Sequence, residues 1–239
     1  MTFTRFMPDL SVRMPQPELM DSEGLDRNRH VRALRALARI NVLSLAARRV
    51  WEGLRARAPA MDRPFRLLDV ACGGGDIVMA VKKKAQKEGL PLEAQGCDIS
   101  PVAVEYARQR ARERGLEVRF FQHDVKEAEL PGGFDLVCSS LFLHHLTEAE
   151  AVGFLTAMTA AGKTALVQDL LRSHLGYLMA SATVRVVTRS DLVRVDGLRS
   201  VTSAFSFTEL GEVVRRAGLA NFKIRRCWPE RFCLRWGES

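Results

Sequence analysis

The stretch RLLDVACGGGDIVMAV, residues 66–81, constrains the fold of this chain more than any other feature. An apolar run ends near Asp69, three consecutive glycines follow at 73–75, and apolar residues then recur at helical spacing. This order predicts a buried strand, a tight glycine turn and a helix. Because glycine backbone admits a ligand closely, the turn predicts a binding site with a carboxylate beside it.

Strand-like and helix-like segments alternate from this point to about residue 170. This alternation predicts a parallel sheet with helices on both faces, and the last two strand-like segments, joined through Pro229, predict an antiparallel C-terminal hairpin. The fold class is therefore α/β: a Rossmann-like doubly wound sheet of about seven strands, mostly parallel. The predicted strands are 65–70, 92–98, 117–124, 134–143, 163–170, 221–228 and 231–236, and the predicted helices in this part are 76–88, 101–114 and 208–217.

Two regions flank or interrupt the alternation. Residues 1–62 are predicted to form an N-terminal extension with one long amphipathic cap helix from His30 to about Arg57. Residues 63–239 then form the ligand-binding domain. Within it, about residues 171–203 are predicted to be a helical lid insertion over the carboxyl ends of the strands, where ligands of open α/β sheets bind.

Composition excludes several classes of protein. The sequence has no run of about 18 apolar residues, and its first ten residues lack the apolar core of a signal peptide, so we expect a cytoplasmic protein. The five cysteines form no CxxC pair and have no metal-like spacing with histidine, so we expect neither a disulfide framework nor a metal site.

The net charge of +8 is uneven along the chain. Residues 1–66 carry a net charge of +6, residues 67–171 of −4 and residues 172–239 of +6. One interpretation is that both ends present solvated, arginine-rich helical faces. The other is that they converge on an acidic substrate, an acidic carrier protein or a membrane surface.

Three details of the glycine turn separate possible ligands. A dinucleotide fingerprint requires a small residue where this chain has Val78, and Asp69 would repel a pyrophosphate. Asp98 ends the next strand, 23 residues after Gly75, where a carboxylate binds ribose hydroxyls. A ligand with a ribose, a sulfonium and an ammonium but no phosphate satisfies these conditions, and S-adenosylmethionine is such a ligand.

Four segments, LLDVACGGGD, GCDISPVAVEYAR, FFQHDV and FDLVCSSLFLHHL, resemble in order and spacing the motifs of class I S-adenosylmethionine-dependent methyltransferases. The similarity is greatest to the small-molecule branch related to the ubiquinone/menaquinone biosynthesis (UbiE-type) enzymes. It implies that one group of residues surrounds the methionyl part, that Asp98 holds the ribose, that a second group meets the adenine, and that a third lies under the sulfonium. The group around the methionyl part is Asp69, Ala71, Cys72, Gly73 and Gly75. The group at the adenine is Ile99, Asp124 and Val125, and the group under the sulfonium is Ser139, Ser140 and Leu141.

A sulfonium methyl group is already activated, so a general base is optional for its transfer. His144 and His145, just after the fourth predicted strand, are the candidate catalytic residues, and the alternative is that they pack against the cofactor loop or cap the next helix. Asn41 and Arg172 are candidate substrate contacts. The alternatives are that a neighbouring backbone group satisfies Asn41 and that Arg172 forms an ion pair with Asp169 that fixes the lid.

The sequence thus predicts methyl transfer from S-adenosylmethionine to a small-molecule acceptor by in-line displacement, with S-adenosylhomocysteine as product. The acceptor class is a phenol, a quinone or a polyketide-derived hydroxyl or ring carbon. An RNA methyltransferase is a second interpretation, disfavoured by the acidic central segment and by SSLF at 139–142 where an NPPY-like tetrapeptide would be expected. A non-catalytic S-adenosylmethionine-binding protein is the third.

Overall fold

The computed structural model describes residues 7–22, 24–187 and 191–237. They contain a seven-stranded sheet in the order β3-β2-β1-β4-β5-β7-β6, in which β1 to β5 are parallel and β7 runs antiparallel to both β5 and β6. This confirms the predicted doubly wound sheet and its C-terminal hairpin. The strands are β1 (Phe65–Val70), β2 (Leu92–Asp98), β3 (Val118–Gln122), β4 (Phe134–Ser140), β5 (Gly162–Leu170), β6 (Lys223–Cys227) and β7 (Arg231–Gly237).

Helices cover both faces of the sheet and enclose two apolar cores. One core packs β4 and β5 against helices α5 and α8, and the other packs β1 and β2 against α2, α3 and α4. Burial of apolar side chains on both faces explains why the central strands read as continuous hydrophobic runs. The helices are α1 (Arg27–Leu43), α2 (Ala46–Arg55), α3 (Asp76–Lys87), α4 (Pro101–Glu113), α5 (Glu148–Ala161), α6 (His174–Val187), α7 (Asp191–Ser203) and α8 (Phe207–Arg216).

The prediction of a single long N-terminal helix from His30 to about Arg57 is wrong, because the chain forms two helices there, α1 and α2. Leu45 adopts a left-handed conformation with φ of 57°, and Arg49 donates a hydrogen bond to the carbonyl of Ser44 at 2.6 Å. The break turns α2 so that its apolar side packs under the sheet, while Val42 at the end of α1 is left 73% exposed. Apolar spacing continues through the break, so periodicity alone does not reveal it.

Strand β4 ends at Ser140, three residues earlier than predicted. Leu141 then adopts φ of 58°, and a short 3-10 turn follows at Leu143–His145. This turn points the chain back across the carboxyl edge of the sheet and holds the histidine pair there.

The predicted insertion after β5 is helical and consists of α6 and α7, which pack against each other; residues 188–190 lie outside the described residues. Asp196 on α7 accepts hydrogen bonds from the backbone of Leu19 and Met20 in the N-terminal segment, at 2.8 and 3.0 Å. The insertion and the N-terminal segment therefore form one layer over the carboxyl ends of the strands. In the described residues, no helix combines the length and the apolarity that a membrane crossing needs.

Candidate active site

A single cavity of about 780 Å³ lies at the carboxyl ends of the parallel strands. Its floor is the glycine turn after β1 and the loops after β2, β3 and β4; its roof is the N-terminal segment together with α6 and α7. Cavities of this size bury most of the surface of a drug-sized ligand. The glycine turn lies toward one side and the histidine pair toward the other, which gives the cavity two chemically distinct parts.

The glycine turn holds the carboxylate of Asp98 in place. The backbone N–H of Gly73 donates to Asp98 Oδ2 at 2.7 Å, and that of Ser100 donates to Oδ1 at 2.9 Å. Ala71 and Gly73 line the cavity with φ of 54° and 52°, and a non-glycine residue in this region costs about 1–3 kcal/mol. The backbone strain and the fixed carboxylate coincide at the place where the sequence predicts ligand binding.

Asp69 is a buried carboxylate that lacks a compensating cation. Its Oδ1 lies 3.5 Å from Cys138 Sγ, and its Oδ2 has no hydrogen-bond partner among the described residues. Burial, aided by the nearby charge of Asp76, raises the pKa of Asp69 to about 8. A buried carboxylate in this state is costly, so a cationic ligand in the cavity would stabilise its charged form.

The residues expected around the adenine also line the cavity. Ile99 presents a 57% exposed side chain, and Asp124 with Val125 follows β3, where Asp124 Oδ1 accepts from the backbone of Lys126 at 2.9 Å. His123 also lines the cavity, and its Nε2 is buried without a partner among the described residues.

Two residues predicted to contact the cofactor lie outside the cavity lining. Gly75 adopts φ of 68°, and a Cβ built on it would come within 2.6 Å of the Phe120 ring, so this glycine is required for packing of α3 on the sheet. Ser139 is buried in β4 at 1% exposure, whereas the next residues, Ser140 and Leu141, reach the cavity. The contacts of Gly75 and Ser139 with the cofactor therefore stay predictions.

His144 lies between two carboxylates. Its Nδ1 is 2.7 Å from Asp169 Oδ1, its Nε2 is 3.2 Å from Glu18 Oε1, and its backbone N–H donates to Asp169 Oδ2 at 2.9 Å. Burial by itself lowers the pKa of His144, but the two carboxylates outweigh burial and raise the pKa to about 10. His144 is therefore an imidazolium at neutral pH and cannot accept a proton, which argues against a role as general base.

His145 has the opposite character. Its side chain lines the cavity and stacks on Phe142, with ring centroids 6.0 Å apart. Burial and the neighbouring charge of His144 lower the pKa of His145 to about 4. Its imidazole is consequently neutral at pH 7, and the low pKa makes it a weak base that takes up only a strongly acidic proton.

Glu18, His144 and His145 are also a group that could hold a metal ion, since one donor atom of each lies within 4.8 Å of the others. Metal ligation requires an unprotonated imidazole nitrogen, whereas the carboxylates around His144 favour its protonated form. Without a metal these side chains form the hydrogen-bonded network described above, and the expectation that the protein needs no metal stays a prediction.

The two candidate substrate contacts differ in position. Asn41 lines the cavity, donates to Asp76 Oδ2 at 3.2 Å and keeps its own Oδ1 buried without a partner among the described residues. Arg172 does not line the cavity; both terminal nitrogens donate to Glu209 at 2.7 Å. Arg172 therefore pairs with Glu209 of α8 and Asp169 pairs with His144, so the expected Arg172–Asp169 ion pair is wrong, whereas a substrate contact of Arg172 stays a prediction.

Sequence reasoning missed several charged residues of the cavity, namely Glu18, Asp76, Lys126, Glu230 and Arg231. Glu18 lies in an N-terminal segment without periodicity, so nothing local marks it. Arg231 begins β7 and is only 1% exposed. The available signal was its position at the start of the apolar run RFCLRW, because a charged residue in a buried strand is itself buried.

Comparisons with known proteins agree with this architecture. Residues 67–164 match the family described as "Methyltransferase domain". A demethylmenaquinone methyltransferase from Thermus thermophilus is 34% identical over 123 residues, which covers 48% of this chain and 54% of that protein. A ribosomal RNA small subunit methyltransferase C from Escherichia coli is 30% identical over 161 residues, covering 67% of this chain and 39% of that protein.

The solved structure of a SAM-dependent methyltransferase from Aquifex aeolicus superimposes with a TM-score of 0.62 at 16% identity, covering 88% of this chain and 97% of that one. This structural likeness concerns the fold. The chain spans about half the length of the Thermus relative. Residues 67–164 therefore resemble a methyltransferase domain, and the chain has the fold of a solved S-adenosylmethionine-dependent methyltransferase.

Proposed function

We propose that this protein binds S-adenosylmethionine at the glycine turn and methylates a small molecule bound in the other part of the same cavity. The observation that carries this proposal is the unpaired, buried carboxylate oxygen of Asp69 beside the Asp98 carboxylate. A ligand that bears both a positive charge and a ribose satisfies the two carboxylates at once.

The residues present fit the cofactor. Asp69 faces the cavity where a cation would relieve its burial, and Asp98 is fixed by two backbone N–H groups. Gly73 and Gly74 line the cavity beside them with bare backbone, and a Cβ on Gly74 would come within 3.2 Å of the Tyr106 ring, so glycine fits this packing best. When bound, S-adenosylmethionine supplies a methyl group activated on a sulfonium, for in-line displacement by the acceptor.

The protein's remaining contribution is to position the acceptor, exclude water and handle a proton. The layer formed by α6, α7 and the N-terminal segment covers the site and limits entry of water. Where the acceptor carries an O–H group, His145 takes its proton as methylation of the oxygen makes that proton acidic, because a ring with a pKa of about 4 is too weak a base to remove it beforehand. His144, held as an imidazolium, fixes the position of its neighbour, with ring centroids 4.3 Å apart.

The acceptor we propose is a phenol, a quinone or a polyketide-derived hydroxyl or ring carbon. The cavity supports a small acceptor because it is covered and has room for two ligands, and one curated relative is named for a quinone precursor. Another relative is named for ribosomal RNA, so RNA is the competing acceptor. The acidic carrier protein and the cytoplasmic location expected from the sequence stay predictions.

Calorimetric titration with S-adenosylmethionine, S-adenosylhomocysteine and NADH tests the cofactor. We expect micromolar binding of the first two and none of NADH. In Asp98→Ala the affinity for both ligands should fall at least a hundredfold, and the melting temperature of the variant is recorded to check that it folds. Glu93→Ala, which changes an exposed side chain of the same strand, is the control and should bind normally. Absence of binding to the wild type, or binding of NADH, would refute the cofactor assignment.

Transfer itself is measured with methyl-labelled cofactor on a panel of phenols and hydroquinones and on ribosomal RNA. His145→Gln should lower the turnover number by about 10²–10⁴-fold, as loss of a general base does, and leave S-adenosylhomocysteine binding unchanged. Equal turnover would exclude His145 as the base. Label transferred only to RNA, or cofactor binding without any product, would favour the two competing interpretations.

A further inference from the structure

Arg231 is a buried cation without direct partners. It opens β7 at 1% exposure, lines the cavity, and its Nε and Nη1 have no hydrogen-bond partner among the described residues. Burial lowers the pKa of Arg231 to about 10, so the guanidinium remains charged at neutral pH. A buried charge left in this state costs several kcal/mol, which implies that something binds it.

The acidic groups around Arg231 are already engaged elsewhere. Asp169 accepts three hydrogen bonds from His144 and Leu170. Asp76 accepts from Asn41. These carboxylates lower the electrostatic cost of the guanidinium from a distance but do not occupy its N–H groups, and Arg49 nearby adds a further positive charge.

Arg231 lies on the acceptor side of the cavity. The carboxylates assigned to the cofactor end β1 and β2, while β7 is separated from β1 by β4 and β5. Three strand spacings correspond to about 14 Å. The backbone of Arg231 pairs with Leu170 at the end of β5, next to Asp169 of the histidine network.

We propose that Arg231 anchors an oxyanion of the methyl acceptor, a carboxylate or an ionised phenol, through a guanidinium fork. This assignment rests on the proposed methyl transfer and adds that the acceptor is anionic where it meets β7. Guanidinium binds planar carboxylates with two parallel hydrogen bonds, from Nη2 together with either Nε or Nη1, and the last two are unpaired here among the described residues. A phenolate held in this way is also a stronger nucleophile than the neutral phenol.

The test uses the full chain loaded with S-adenosylhomocysteine, with 1-hydroxy-2-naphthoate as the anionic probe and 1-hydroxy-2-naphthamide as its neutral counterpart. The wild type should bind the carboxylate at least tenfold more tightly than the amide. In Arg231→Met this preference should disappear, while the affinity for S-adenosylhomocysteine stays within twofold.

Stability provides a second and independent readout. Removal of an unpaired buried charge should raise the melting temperature of ligand-free Arg231→Met above that of the wild type. Arg49→Met is the matched control, because this guanidinium donates to the carbonyls of Ser44 and Trp228, and its loss should lower the melting temperature.

The possible results distinguish failure of the Arg231 assignment from failure of the proposed function. Equal or no binding of the two probes by the wild type, together with an unstabilised Arg231→Met, would overturn the assignment. A tenfold loss of S-adenosylhomocysteine affinity in Arg231→Met would also overturn it, because the anion would then be the cofactor's own carboxylate. Failure of the wild type to bind S-adenosylhomocysteine at all would refute the proposed function instead.

Discussion

Replacement of Asp169 by asparagine should destabilise the protein in a pH-dependent way. Asp169 accepts three hydrogen bonds: Oδ1 from the His144 ring and from the backbone of Leu170, and Oδ2 from the backbone of His144. The side-chain oxygen of asparagine can replace one carboxylate oxygen, but its NH2 group then faces the donor that was bound to the other oxygen. Loss of one partner of a buried ion pair costs about 3–5 kcal/mol, so we expect the free energy of unfolding of Asp169→Asn to fall by this amount near pH 6.5.

The pH dependence follows from the protonated form of His144. Its pKa rises from 6.5 to about 10 on folding, which corresponds to about 5 kcal/mol at 1.36 kcal/mol per pH unit. Because the folded pKa is the higher one, this stabilisation is complete below pH 6.5 and is lost as the pH rises toward 10. The difference between wild type and Asp169→Asn should therefore be largest near pH 6.5 and shrink by pH 9.5.

Urea unfolding at pH 6.5, 8 and 9.5, followed by fluorescence of the buried Trp51 and Trp236, measures this difference. Titration of Asp69, which has a pKa of about 8, affects both proteins and cancels in the difference. Asp135→Asn is the control, because this buried carboxylate pairs with Arg63, whose charge is constant over the range. A pH-independent difference for Asp169→Asn, or none, would refute the charged state of His144.

Three further outcomes test the packing and chemistry of the site. Gly75→Ala should lose about 2–4 kcal/mol in urea unfolding because its Cβ meets the Phe120 ring, whereas Gly89→Ala, with similar φ but open space, should lose about 1 kcal/mol; equal losses would contradict the packing role. Arg172→Met should cost about 3–5 kcal/mol by removing the hydrogen bonds of this buried guanidinium to Glu209 and to the carbonyls of Leu10 and Ala204, yet calorimetry should show unchanged S-adenosylhomocysteine affinity, and weaker binding would return Arg172 to the site. Dialysis against EDTA should leave methyl transfer within twofold, and recovery only on addition of a divalent metal would show a metal requirement.

Local signals were sufficient to predict the sheet and the cofactor side of the cavity. The segment LLDVACGGGD and the ends of β2 and β3 are each a short continuous stretch of sequence. Parallel strands bring their carboxyl ends to the same edge of a sheet, independently of the rest of the chain. The placement of Asp69, Asp98 and Asp124 around one cavity follows from this topology. Periodicity failed where backbone geometry intervened, as at Leu45, because spacing of apolar residues does not encode a left-handed break.

The sequence by itself thus determined the order of the elements and the residues at the strand ends, since both depend on neighbours in the chain. Only the tertiary structure decided the protonation of the two histidines, because the partners of His144 lie 25 and 126 residues away and set its pKa through burial and charge. The same holds for Arg231: the apolar run that it begins predicts a strand, but only the packing of β7 between β5 and β6 buries its first residue beside the cavity. Electrostatics in a protein interior depends on what the fold brings together, and no local pattern carries that information.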